Sequence, residues 1–216
     1  DGYTKLMLHM NGTDGSTTFT DETGKIFTAV GNAQIDTAQS KFGGASGLFD
    51  GNEDYLTTPD HADFSYGTGD VTIDFWVRFN ALPTAGNSMA FVSHGDNAGG
   101  NYNRFLINNN AGVIKLLMTD GAIGSFATSS DITADIAIDT WYHVAYSRSG
   151  NNHRLFLGGV EKANQVNAGA FTDQSGVFMV GAWNSVTPSL FLDGNIDELR
   201  ISKGIARWTA NFTPPT

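Results

Sequence analysis

Residues 70–79 carry the clearest pattern in the chain. Val71, Ile73, Phe75, Val77 and Phe79 alternate with Thr72, Asp74, Trp76 and Arg78. A period of two puts the first set on one face of an extended strand, where it must meet a core. The opposite face then presents an acid, an indole and a base together. Weaker versions of the pattern predict strands over 3–10, 26–30, 46–49, 54–58, 89–94, 103–108, 113–119, 122–127, 141–148, 153–158, 177–182 and 189–202.

Turn formers separate these runs: Asn11-Gly12, Asn110-Ala111-Gly112, Asp120-Gly121, Gly150-Asn151-Asn152 and Asp193-Gly194. No segment keeps a capped 3.6-residue period beyond about two turns. Residues 59–65 and 204–208 are each expected to form one short helical turn. Many short strands with almost no helix leave a sandwich or a closed barrel. No fixed-period repeat points to a propeller or solenoid.

Composition narrows the function. The 216 residues suit one β domain spanning 1–216, and 15 Phe, 6 Tyr and 4 Trp supply large side chains for its core. The formal net charge is −10, so a phosphate-backbone partner is not expected. Most acids are Asp, a turn and hard-cation residue, so Ca²⁺ is the candidate ion and no organic cofactor is implied. With no cysteine there is neither a disulfide framework nor a thiol nucleophile. No signal peptide, membrane run or lipidation motif is evident. The chain begins at Asp1 without Met, which reads as a fragment or processed form.

Three ordered segments resemble the laminin-G-like domains of the concanavalin A-like lectin/glucanase superfamily. They are Ser46-Gly-Leu-Phe-Asp-Gly-Asn-Glu-Asp-Tyr-Leu56, the hairpin Thr140-Trp-Tyr-His-Val-Ala145 with Arg154-Leu-Phe-Leu-Gly-Gly-Val160, and Phe191-Leu-Asp-Gly-Asn-Ile-Asp-Glu-Leu-Arg-Ile-Ser202. The resemblance implies an all-β, two-sheet antiparallel jelly-roll β-sandwich with minimal helix. One departure stands out: Gly158-Gly159 occupies the place of the family's Asp-Gly turn. The stretches 5–21, 33–46 and 203–215 are similar to versions in bacteriophage virion and tail-associated proteins, and marine bacterial surface proteins carry related modules. A virion or cell-surface location is therefore expected.

Catalysis finds no support in the residues. Retaining glycosidases need two carboxyl groups about 5–5.5 Å apart. The best pairs, Asp70 with Asp74 and Asp193 with Asp197, stand at i, i+4, roughly 13 Å apart on a strand. The glucanases of this fold use Glu-x-Asp-x-Glu, and none of the four glutamates lies in such a pattern. For a metal, Asp50, Asn52 and Asp54 give alternating oxygens like the start of an EF-hand loop, but Tyr55 stands where that loop needs Gly. Asp197 and Asp21 are the expected further ligands, with turn capping the alternative role for all five.

Sugar recognition needs an aromatic platform beside polar groups. Trp76, flanked by Asp74 and Arg78, is either such a platform or a ring packed under another segment. Asp96, Asn101, Tyr102 and Arg104 (with His94 and Asn103) form a second candidate set, and Trp183 with Asn184 a third. The first expectation is a non-catalytic glycan-recognition or adhesion module on a phage particle or bacterial exterior, with Ca²⁺ as a candidate stabiliser. Its partner would be a surface glycan or polysaccharide, with neither nucleic acid nor membrane insertion. The alternative is a structural virion protein contacting other virion subunits, and a weaker one is a polysaccharide-degrading enzyme.

Overall fold

The computed structural model describes residues 1–95, 102–183 and 186–216. Fifteen strands dominate: β1 (Thr4–Leu8), β2 (Thr28–Val30), β3 (Gln34–Asp36), β4 (Ser46–Asp50), β5 (Tyr55–Thr58), β6 (Val71–Phe79), β7 (Ser88–His94), β8 (Asn103–Asn110), β9 (Val113–Asp120), β10 (Gly124–Thr128), β11 (Trp141–Ser149), β12 (Asn152–Leu157), β13 (Val160–Val166), β14 (Phe178–Val180) and β15 (Asp193–Lys203). One 3₁₀ turn, Ala62–Phe64, falls within the first expected helical turn. The second, at 204–208, is irregular.

All strand pairs are antiparallel. An eight-stranded sheet runs β13-β12-β11-β6-β15-β4-β3, with β1 also paired to β15, and a seven-stranded sheet runs β10-β9-β8-β7-β14-β5-β2. The chain is thus a two-sheet jelly-roll sandwich. The sequence pattern passed over β3 and β13. Both are edge strands: β13 is mostly exposed and polar, and β3, with Ile35 buried between Gln34 and Asp36, is three residues long, too short to show a period.

The apolar face of β6 turns inward as its alternation demands, with Val71, Ile73, Phe75, Val77 and Phe79 all buried. Phe75 meets Phe91 at 4.9 Å, and Phe91 meets Phe105 at 5.5 Å, joining the two sheets. Each fully buried Phe contributes about 1.5–3 kcal/mol by leaving water. Among the described residues no helix is long and apolar enough to cross a membrane.

A bulge in β15 sets up the outer face of the larger sheet. Asp197 pairs with Trp76 and Arg200 with Asp74, so β15 carries one extra residue there, and Glu198 takes a φ of 55°. Without it Leu199 would face outward; with it Arg200 does.

Candidate functional site

The outer face of the larger sheet is covered by the protein's own chain. Asp74 accepts two hydrogen bonds from Arg200, Nε at 3.0 Å and Nη2 at 2.9 Å, and His143 Nε2 lies 3.4 Å from it. Lys41 Nζ sits 4.1 Å from the centre of the Trp76 ring, with Phe42 and His143 edge-on. Trp76 is left 8% exposed. Over His143 lies the C-terminal segment, where Trp208 and Phe212 stack at 4.1 Å. Thr72 anchors that segment, donating to the Ile205 carbonyl and accepting from the Arg207 amide. A cleft of about 270 Å³ persists between Met7, Phe42, Trp76, Arg200 and Pro215. Arg78 faces away from it, bonded to Asn80 and Asp139.

The outer face of the seven-stranded sheet is open in part: Ala90, Ser93 and Leu106 on it are buried, whereas Asn108, Asn110 and Lys115 are not. Cross-strand pairs on β8 and β9 line it: Arg104 with Thr119, Leu106 with Leu117, Asn108 with Lys115 and Asn110 with Val113. A groove of about 320 Å³ runs past Asn108, Asn110, Lys115, Leu117 and Thr128. At the other end of the strip, Arg104 packs against two aromatic rings that also touch each other. Its guanidinium carbon is 4.5 Å from the centre of Tyr102 and 4.5 Å from that of Trp183. The rings themselves meet edge to face at 5.3 Å. Arg104 Nε donates to Thr119 Oγ1 at 3.1 Å, which fixes the plane of the fork. Burial against the rings pushes the guanidinium's pKa down from its ordinary value. Trp183 is placed by paired backbone hydrogen bonds with Ser189, each 2.9 Å, that close a small loop between β14 and β15.

The sequence-nominated residues therefore divide between the two sheets. Trp76, Asp74 and Arg78 are on the covered face. Tyr102, Arg104 and Trp183 converge on the open one. Asp96, Asn101 and Asn184 lie outside the described residues. His94 and Asn103 point inward: His94 packs on Phe64 and Phe178, and Asn103 donates to the Thr172 carbonyl. Burial lowers the His94 pKa against the opposing pull of Asp60. Sequence reasoning missed Asn108, Asn110, Lys115, Leu117 and Thr128. The Asn108-Asn109-Asn110 run beside a β turn was the available signal.

The five expected metal ligands fall in three places. Asp21 is buried, and its oxygens accept from the Met7, Thr23 and Lys25 amides and from the Thr23 hydroxyl. Asp54 is buried and accepts from the Asn32 and Asp50 amides, while Asp50 accepts from the Asn52 amide. Burial, with the nearby Asp50 charge, raises the Asp54 pKa, and the same two causes act on Asp193. Asp197 Oδ2 accepts from the Lys41 and Phe42 amides, and burial pushes its pKa up to about 6. Asp193, not Asp197, is the strand partner of Asp50, and Asp197 stands four residues further along, roughly 13 Å away. As a single cage the five do not fit, because they fall in three places; backbone amides occupy Asp21, Asp54 and Asp197 Oδ2, while Asp197 Oδ1 is buried without a partner among the described residues. No group of three or more His, Cys, Asp or Glu positioned for a metal occurs among the described residues.

Residues 50–207 match the sequence profile of the Concanavalin A-like lectin/glucanases superfamily. The chain belongs to that superfamily. No curated protein matches it in sequence. Among solved structures it is similar to domain 4 of a GH43 extracellular arabinanase from Geobacillus stearothermophilus in complex with arabinotriose. That pair is 22% identical, with a TM-score of 0.64 over 94% of this chain and 95% of that one. The binding domain of Paraclostridial Mosquitocidal Protein 1 is 14% identical, with a TM-score of 0.67 over 94% of this chain and 50% of that one. The botulinum neurotoxin serotype D binding domain is 13% identical, with a TM-score of 0.66 over 94% and 49%. This chain thus spans about half of each toxin domain. At these identities the likeness establishes the fold.

Proposed function

We propose that this superfamily member is a non-catalytic carbohydrate-binding module whose glycan lies on the outer face of the seven-stranded sheet. The observation that carries the reading is the contrast between the two outer faces. One is largely covered by residues 41–42 and 205–216, which leave a cleft of about 270 Å³. The other leaves an aromatic pair at one end and a groove of amides, a hydroxyl, an amine and an apolar wall at the other. Rings stack on the C–H faces of sugars, and amides and hydroxyls satisfy their hydroxyl groups. None of the residues lining the groove carries a carboxyl group, whereas glycoside hydrolysis needs a pair of them. The arabinotriose complex of a similarly folded arabinanase domain favours the same reading.

Such a module suits the exterior of a phage particle or a bacterial cell, where it would adhere to surface polysaccharide. A glycan array followed by NMR titration tests it. The expected result is shifts at Arg104, Asn108 and Lys115 that vanish in Trp183→Ala. Self-association without affinity for any glycan would favour the virion-subunit reading instead.

A further inference from the structure

Among the described residues, Arg104 differs from the other five arginines in its partners. Of the arginines, Arg78, Arg154, Arg200 and Arg207 each meet a carboxylate. Arg148 is bonded to the Gly67 and Gly150 carbonyls. Arg104 meets no carboxylate and no backbone carbonyl among the described residues. Its contacts are the Thr119 hydroxyl, a long 3.5 Å approach from Nη2 to the Tyr102 hydroxyl, and the two flanking rings.

We infer that Arg104 selects an acidic saccharide, one bearing a carboxylate, at the Tyr102–Trp183 end of the strip. The inference rests on the carbohydrate-binding reading of this face and adds the chemical class of its ligand. With Nε committed to Thr119, the fork presents Nη1 and Nη2 end-on. Two parallel donors in one plane match a planar carboxylate, and the pairing is stronger than a neutral hydrogen bond. The rings hold the plane and exclude water, which strengthens the charge interaction and reduces the ordering cost on binding. A cation with no carboxylate partner among the described residues, in a chain with 22 acids and 12 bases, also opposes the general repulsion of an anionic ligand. Lys115, further along β9, extends the positive character of the same strip.

The test uses the full chain and paired probes that differ in one group. Trigalacturonate is compared with its methyl ester, sialyllactose with lactose, an oligomannuronate with its ester, and a sulfated disaccharide with its unsulfated form. Calorimetry is run on wild type, Arg104→Gln, Arg104→Lys and Trp183→Ala, with melting curves to confirm folding. At least one carboxylated member is expected to bind about ten- to a hundred-fold tighter than its neutral partner. Arg104→Gln should erase that preference, Arg104→Lys should keep part of it, and added salt should weaken it. If Arg104→Gln unfolds the chain, Thr119→Val serves in its place, freeing the fork and shrinking the preference.

Equal affinity for acid and ester, insensitive to Arg104 but lost in Trp183→Ala, overturns the acidic selectivity and leaves the carbohydrate reading standing. Preference for the sulfated sugar over every carboxylate overturns the carboxylate assignment. No affinity for any glycan overturns both.

Discussion

Gly159 and Phe212 meet backbone to backbone: the Phe212 amide donates to the Gly159 carbonyl at 2.9 Å, and the Phe212 carbonyl occupies the space a β-carbon on residue 159 would need. Gly159 also holds a φ of 78°, a left-handed conformation that disfavours a side chain. Gly158, at φ 58°, has open space around it. The Gly-Gly turn therefore docks the C-terminal segment over the larger sheet. Gly159→Ala should cost about 1–3 kcal/mol and loosen Trp208, while Gly158→Asn stays within about 1 kcal/mol. Urea unfolding and the emission of Trp208 measure both.

Two tryptophans with similar sequence credentials should behave oppositely. Trp76 is buried under Lys41, Phe42 and His143, so Trp76→Ala is expected to cost about 3–5 kcal/mol. Trp183→Ala should leave the unfolding midpoint nearly in place and remove glycan affinity. Denaturant titration beside binding isotherms separates the two effects.

His153 is held as the Nε2–H tautomer. Nε2 donates to the Asn167 carbonyl at 3.0 Å, and Nδ1 accepts from the Tyr146 hydroxyl at 2.6 Å. Burial lowers its pKa from 6.5 to about 4. A lowered imidazole pKa contributes stability that is present above 6.5 and lost as pH falls towards 4. His153→Gln should flatten that acid loss. Imidazole ¹⁵N shifts should show His153 still neutral at pH 5.5.

Asp197 acts in the opposite direction. Its pKa rises from 3.8 to about 6, chiefly through burial. The folded state therefore binds the proton more tightly than the unfolded chain. The benefit is complete below 3.8 and disappears as pH rises through 6. Stability of wild type relative to Asp197→Asn should fall between pH 4 and pH 6.5. Urea midpoints of both proteins across that range give the sign directly.

Chelation should leave the thermal midpoint unchanged, since Asp21, Asp54 and Asp197 hold their turns through backbone amides. A drop of several degrees with EDTA that CaCl₂ restores would place a structural ion in the protein.

The strand β6, its buried face and the β11–β12 hairpin were legible because a period of two leaves no other way to bury those side chains. The edge strands β3 and β13 were not: β13 carries polar residues on both faces, and β3 offers a single buried residue, Ile35, too few to show a period. Asp74 and Arg200 could be nominated only separately. Their pairing depends on a bulge that moves Arg200 outward, and nothing in the local pattern marks a one-residue shift.

By itself the sequence determined an all-β chain and which residue types were equipped to meet a sugar, because alternation and turn chemistry are local, while the sandwich and its superfamily rested on the resemblance of three motifs. Which face is open was decided only by tertiary structure. Residues 205–216 return across one sheet and not the other, and no local periodicity records where a returning segment lies. Lys41, Phe42 and His143 bury Trp76, with the crossing segment packed over His143, while the loop ahead of β15 brings Trp183 against Arg104. The outcome is one packed ring and one half-buried cluster.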